Sequence, residues 1–205
     1  MTLSNTQVGS ATPDVAAIVQ RAQQGDDEAF TSLVHIYSDR VYNLALRILR
    51  REDDAADIMQ ETFIKVYEKI DTFDGRADFF TWLYRIATNL ALMRLRKEKR
   101  TILSDEDIER HYDRPDVTTV QEWRSMPLNN MLSAEFRRHL NQAVDSLPEI
   151  YKSVFVLRDL EHLSIKETSR ILNITESNVK VRLKRARMFL RETLAEYMYG
   201  ARTKA

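Results

Sequence analysis

An all-α fold follows from three features of the sequence. Glycine and proline are scarce, with 4 of each in 205 residues, which leaves few of the turns that a β-sandwich requires. Apolar residues recur three and four apart through most of the chain, the period of a helix face. Helix-start signatures, above all Ser164-Ile165-Lys166-Glu167, stand where new periodic runs begin. The 43% of hydrophobic residues suffices for a soluble globular protein. The pattern predicts two small helical domains joined by a flexible linker.

Residues 1–13 are polar, with no apolar period, and are expected to form a disordered tail. The first domain is assigned to 14–100. Val15, Ile18, Val19 and Ala22 make a short helix that stops at Gly25. Asp26 or Asp27 caps the next helix, whose apolar stripe runs from Phe30 through Leu33, Tyr37, Val41 and Leu44 to Leu49. Glu52 to Asp54 place negative charge at the start of a third helix reaching about Ile70. Its apolar positions, including Ile58, Met59, Phe63, Val66 and Tyr67, cover too wide an arc for one intramolecular face. After the turn 71–75, a fourth helix begins near Asp78, carries Phe79, Trp82, Leu83, Tyr84, Ile86 and Leu90, and ends in basic residues. Phe79 and Trp82 are expected in the core.

Residues 101–132 are acidic and polar, contain Pro115 and Pro127, and read as the linker. The second domain, 133–199, opens with a helix bearing Phe136, Leu140, Ala143, Val144 and Leu147. Pro148 then stands in a first helical turn, ahead of Tyr151, Val154, Phe155 and Leu157. In the capping box at Ser164 the hydroxyl and the Glu167 carboxylate each satisfy an orphan amide. The short helix it starts breaks at Asn173, a residue tolerant of the left-handed conformation, and Thr175 caps the last helix. On that helix Val179, Leu183, Ala186, Leu190 and Leu194 form the buried side, at about 100° per residue. The opposite arc carries Ser177, Lys180, Val181, Lys184 and Arg185, flanked by Arg182 and Arg187. A short capped helix, a tight turn and a longer helix with a basic outer face form a helix-turn-helix, whose second helix enters the major groove of DNA.

Charge distribution agrees. The 31 basic and 31 acidic residues cancel, yet positive charge gathers at Arg94–Arg100 and Lys180–Arg191, with an acidic block between them. Phosphate binding rests on such local clusters. With no cysteine, thiol catalysis, disulfides and cysteine-containing zinc sites are excluded, in keeping with a reducing cytosol. The four histidines are scattered without metal-ligand spacing, and neither a phosphate-binding glycine loop nor a nucleophile–base pair is present. No metal, cofactor or enzymatic activity is expected. Without a membrane-length apolar run or a signal-like start, the protein is expected to be cytoplasmic.

At the motif level, 147–151 (LPEIY), 154–159 (VFVLRD), 163–167 (LSIKE) and 179–187 (VKVRLKRAR) closely resemble the C-terminal domain of extracytoplasmic-function (ECF) sigma factors. The N-terminal segments 57–63 (DIMQETF), 73–75 (FDG) and 81–89 (TWLYRIATN) resemble that family's polymerase-binding and promoter-melting segments. The resemblance spans roughly residues 14–197. It implies a transcription initiation factor that binds core RNA polymerase, directs it to promoters and assists melting, as in stress responses.

By the same resemblance, the helix 57–67 docks on the β′ clamp through Asp57, Gln60, Glu61, Phe63 and Tyr67. Phe63 and Tyr67 fit core packing equally well. Lys69, Phe73, Arg76, Arg85 and Asn89 would handle the melted minus-ten strand, supplying aromatic, amide and cationic groups for unstacked bases. Ser177, Lys180, Val181, Arg182, Lys184, Arg185 and Arg187 would read the minus-thirty-five duplex. The second domain would also meet the β flap, the linker would enter polymerase channels, and an anti-sigma factor would hold the protein inactive.

Departures from the family pattern are Ile86 and Ala87, where primary sigma factors carry a tryptophan pair, Met93, where many relatives are acidic, and Asn173 and Asn178, where Gly and Thr are common. A stand-alone regulator with an N-terminal sensor domain is the alternative, distinguished by two-fold symmetric binding without polymerase. A helical nucleic-acid enzyme would need a catalytic constellation that the chain lacks.

Overall fold

A computed structural model of the protein describes residues 14–98 and 134–202, so the expected tail and linker lie outside it. The described residues form eight α-helices and no strand. Helices α1 (Val15–Gln23), α2 (Asp27–Leu49), α3 (Glu52–Lys69) and α4 (Phe79–Glu98) make the first half. The second half contains α5 (Ala134–Ser146), α6 (Glu149–Phe155), α7 (Ile165–Leu172) and α8 (Glu176–Arg202). None of the described helices is long and apolar enough to cross a membrane.

Of the two residues expected to cap α2, Asp26 does so, accepting from the amides of Glu28 and Ala29. Asp14 caps α1 in the same way, accepting from those of Ala16 and Ala17, a cap additional to those expected from the sequence. The Ala29 amide, followed by the Arg21 guanidinium, holds the Asp26 carboxyl below its ordinary range. Gly25, with φ +84°, makes the bend between α1 and α2 that a side-chain-bearing residue resists. Asp78 starts α4 by accepting from both the amide and the hydroxyl of Thr81. Pro148 differs from expectation: with ψ 151° it precedes α6 as the cap residue, outside the first turn. Its carbonyl accepts from the amides of Tyr151 and Lys152.

The first half packs α3 and α4 against α2 around Leu33, Val41, Leu44, Ile48, Ile58, Val66 and Leu83, all essentially inaccessible. In the second half Val144, Tyr151, Val154, Val179, Leu183 and Leu190 form a second cluster. The linker reading anticipates separate domains, but the halves share a surface: Val156, Leu157, Leu163 and Ile171 belong to the same buried cluster as α2, α3 and α4.

Charged groups frame that contact. Arg47 is 2.6 Å from Glu161 and also donates to the Leu160 carbonyl, while Arg96 makes a two-pronged bond to Glu149. Arg50 stands 3.4 Å from Asp145, which also takes the ammonium of the buried Lys152 at 2.8 Å. The approach depends on a wide turn at Val156–Leu160, where the Glu161 amide bonds back to the Val156 carbonyl five residues earlier. A π-type turn of this kind re-aims successive side chains. Here Asp159 points to Arg187 within its own half and Glu161 to Arg47 across the contact.

Candidate nucleic-acid and polymerase interface

On α3, the buried side is Ala55, Ile58, Thr62 and Val66. At about 100° per residue, Asp57, Gln60, Glu61, Ile64 and Tyr67 fall within about a third of the circumference on the other side. Ile64 and Tyr67 remain 58% and 59% exposed, an apolar strip without a covering element among the described residues. Tyr67 is held edge-on against Phe30, with ring centroids 5.0 Å apart. Glu61 lies 3.8 Å from Lys65, and Asp57 lies 3.8 Å from Arg94. Phe63 resolves toward packing, being 7% exposed within the core cluster. Ile64, which the sequence reading passed over, occupies the outward position in its place; the helical wheel alone contained that signal.

A single 3-10 turn, Ile70–Thr72, leads into the Phe73 loop. The Phe73 ring is half-buried, 5.7 Å from the Phe79 centroid and 5.4 Å from that of Trp82. Phe79 is in the core, whereas Trp82 is only half-buried. Phe73, Arg76, Trp82 and Arg85 line an open cleft of about 480 Å³, to which Arg170 and Asn173 of the second half also contribute. Arg76 is exposed at the loop tip, 3.0 Å from Asp74, where Gly75 at φ +72° lets the backbone reverse. Lys69 and Asn89 are exposed but do not line the cleft. Along α4, Arg85, Asn89 and Met93 form an exposed stripe at four-residue spacing, and Met93 is 60% exposed. The basic run after it is partly committed to structure: Arg94 bonds the buried Asp54 at 2.7 Å and Arg96 bonds Glu149.

In the second half, Ser164 and Glu167 complete the capping box, and Asn173 takes the left-handed conformation with φ 53°. Thr175 accepts from the Asn178 amide at the start of α8. Val179, Leu183, Ala186, Leu190 and Leu194 are buried without exception. Ser177, Lys180 and Val181 are exposed, with Val181 at 45%, while Lys184 and Arg185 are half-buried on the same outer side and Arg182, also half-buried, flanks it next to the buried Ala186. Arg187 departs from its expected place on the DNA face. Both arms of its guanidinium bond Asp159, at 2.8 and 2.6 Å, in a pair of which each side chain is less than 15% exposed. Its partner lies 28 residues away and only the wide turn aims it there, so spacing along α8 could not reveal the pair.

Thus the large exposed hydrophobics among the described residues, Ile64, Tyr67, Met93 and Val181, all fall on these three surfaces. Each surface sets apolar area among polar or charged groups, the composition of a binding face.

Comparison with known proteins assigns the arrangement. Residues 33–101 match the family model for Sigma-70 region 2 and residues 137–190 that for Sigma-70, region 4. The chain is 36% identical over 178 residues to the ECF RNA polymerase sigma factor SigW of Bacillus subtilis (strain 168), covering 87% of this chain and 95% of that one. It is 37% identical over 171 residues to the ECF RNA polymerase sigma-E factor of Escherichia coli (strain K12), covering 83% and 88%. Among solved structures, CnrH in complex with the cytosolic domain of CnrY aligns with a TM-score of 0.64 at 23% identity over 88% of this chain and 96% of that one. The sigma factor RpoE in complex with the anti-sigma factor NepR from Bartonella quintana aligns at 0.57 and 19% identity, covering 81% and 96%. At those identities the structural likeness speaks to the fold. Both curated relatives are ECF RNA polymerase sigma factors, and a chain that shares their sequence over more than four fifths of its length, with both region models matched, belongs to the ECF RNA polymerase sigma factor family.

Proposed function

We propose that this sigma factor divides promoter recognition among the three surfaces. The exposed strip of α3, with Asp57, Gln60, Glu61, Ile64 and Tyr67, docks on the β′ clamp of core polymerase. The Phe73 loop and the Arg85–Asn89–Met93 stripe take the melted minus-ten strand, with Lys69 and Arg76 supplying positive charge. Ser177, Lys180, Val181, Arg182, Lys184 and Arg185 enter the major groove at the minus-thirty-five element. The half containing α8 also contacts the β flap. Arg187 serves this face indirectly, by fixing α8 to Asp159. The observation that carries the reading is the coincidence of the exposed hydrophobics with these three faces.

The compact arrangement cannot perform both readings at once. Elements centred about 25 base pairs apart are separated by roughly 85 Å of duplex at 3.4 Å per pair. The longest described helix, α8 with 27 residues, measures only about 40 Å at 1.5 Å per residue, and the halves are packed side by side. The two halves therefore part when the promoter is engaged, and residues 99–133, at about 3.3 Å per extended residue, reach roughly 115 Å. In the cytoplasm, an anti-sigma factor, such as the one bound by the RpoE neighbour, would act by covering the polymerase-binding surface. Transcription of genomic fragments by core polymerase with and without the protein tests the assignment. Factor-dependent initiation with permanganate-reactive thymines around minus ten is the expected result; promoter-independent turnover, or symmetric DNA binding without polymerase, would refute it.

A further inference from the structure

From the contacts between α1 and the Phe73 loop, we infer that Gln23 is a positioning residue for capture of the minus-ten strand, an inference that rests on the reading of that loop given above. Its side-chain amide donates two hydrogen bonds, to the Ile70 carbonyl at 2.9 Å and to the Phe73 carbonyl at 2.8 Å. These carbonyls bracket the 3-10 turn, and the Phe73 amide itself bonds the Ile70 carbonyl at 3.2 Å. One side chain, remote in sequence, therefore ties both ends of the segment that leads into the loop. The residue lies before the matched region 2 segment, which begins at residue 33.

The surroundings explain why a strut is needed there. Between α1 and the loop lies a cavity of about 550 Å³, walled by Val15, Val19, Gln20, Gly75, Ala77 and Phe79. A loop whose outer side must meet a base has an empty space behind it, into which it can retreat. The Phe73 ring is restrained by Phe79 and Trp82, but ring packing alone leaves the backbone free to pivot around it. Gln23 removes that freedom. Its own backbone is anchored because Val19 and Ala22 of the same helix are buried against the core. Preorganisation of this kind is gained before the strand arrives, so its loss appears in strand capture and base discrimination.

The test uses the full chain assembled with core polymerase. Gln23→Ala removes the donor, and Gln23→Glu keeps the length but sets a carboxylate against two carbonyl oxygens. Gln20→Ala, from the same cavity wall, serves as the control. Binding is measured to single-stranded minus-ten oligonucleotides of the matched sequence and of each single-base substitution, beside binding to core polymerase and to minus-thirty-five duplex. Gln23→Ala should lose about tenfold in matched-strand affinity, as expected for two backbone bonds lost together. It should also narrow the matched-to-substituted ratio, with Gln23→Glu worse and Gln20→Ala unchanged. Core and duplex binding should stay at wild-type levels. Wild-type strand affinity and discrimination in both Gln23 variants would overturn the inference, as would losses that track melting temperature while the ratio holds. Failure of the wild-type holoenzyme to capture any strand would instead overturn the reading of the loop.

Discussion

Replacing Glu161 with alanine should loosen the two halves of the molecule. The carboxylate is the hub of the contact: one oxygen lies 2.6 Å from the Arg47 guanidinium, and the other accepts the Tyr84 hydroxyl at 3.3 Å. The Arg47 side chain is 40% exposed and that of Glu161 only 11%, so water screens one partner and not the other. Exposed pairs contribute about 0.2–1 kcal/mol, and breaking a buried pair costs about 3–5 kcal/mol. This pair belongs between them, at about 1–2 kcal/mol, and at about 1.4 kcal/mol per tenfold the equilibrium should shift roughly 5- to 30-fold toward parted halves. The chain has no cysteine, so Glu28→Cys and Lys166→Cys, at exposed positions on the two halves, can carry a donor and an acceptor dye. Energy transfer in the full-length protein should fall in Glu161→Ala and in Arg47→Ala, and the double variant should fall by less than the sum of the two. An unchanged transfer distribution, or strict additivity, would refute the argument that this pair closes the contact.

Five further substitutions have outcomes set by where their side chains lie. Tyr84 is driven above its ordinary value by burial first and by the Glu161 carboxylate second, so it favours the neutral form in the folded protein. Its contribution is full below about pH 10 and is lost as pH rises through the folded value; Tyr84→Phe should remove that alkaline step from a stability profile. Ile64→Ser should weaken core polymerase binding without lowering the melting temperature, because that side chain is already in water. Lys180→Ala should reduce the salt dependence of minus-thirty-five binding by about one phosphate contact, or cost about 1–3 kcal/mol if it reads a base, as duplex titrations would show. Asn89→Ala should impair opening while leaving folding intact, as read by permanganate and thermal melts. Phe73→Ala should lower both, because its ring packs on Phe79 and Trp82, and a pre-melted promoter should therefore restore it incompletely.

The sequence by itself determined the elements and the module they build. Helix starts at Asp14, Asp26, Ser164 and Thr175, and the left-handed break at Asn173, are interactions among residues at most a few positions apart. The buried row from Val179 to Leu194 likewise follows from helical period alone. The excess apolar surface of α3 was legible, and so was the place of Ile64 opposite the buried row at about 100° per residue. Whether Phe63, at the edge of that row, is covered was not legible, because that depends on where α2 and α4 lie. Arg187 reads as one more cation on a basic helix until the wide turn at Val156–Leu160 brings Asp159 beneath it. Gln23 reaches carbonyls 47 and 50 residues away, and Arg47 a carboxylate 114 residues away. Tertiary structure decided these because pairing over such separations depends on how finished helices stack, whereas local periodicity and capping record only what each helix does within its own few turns.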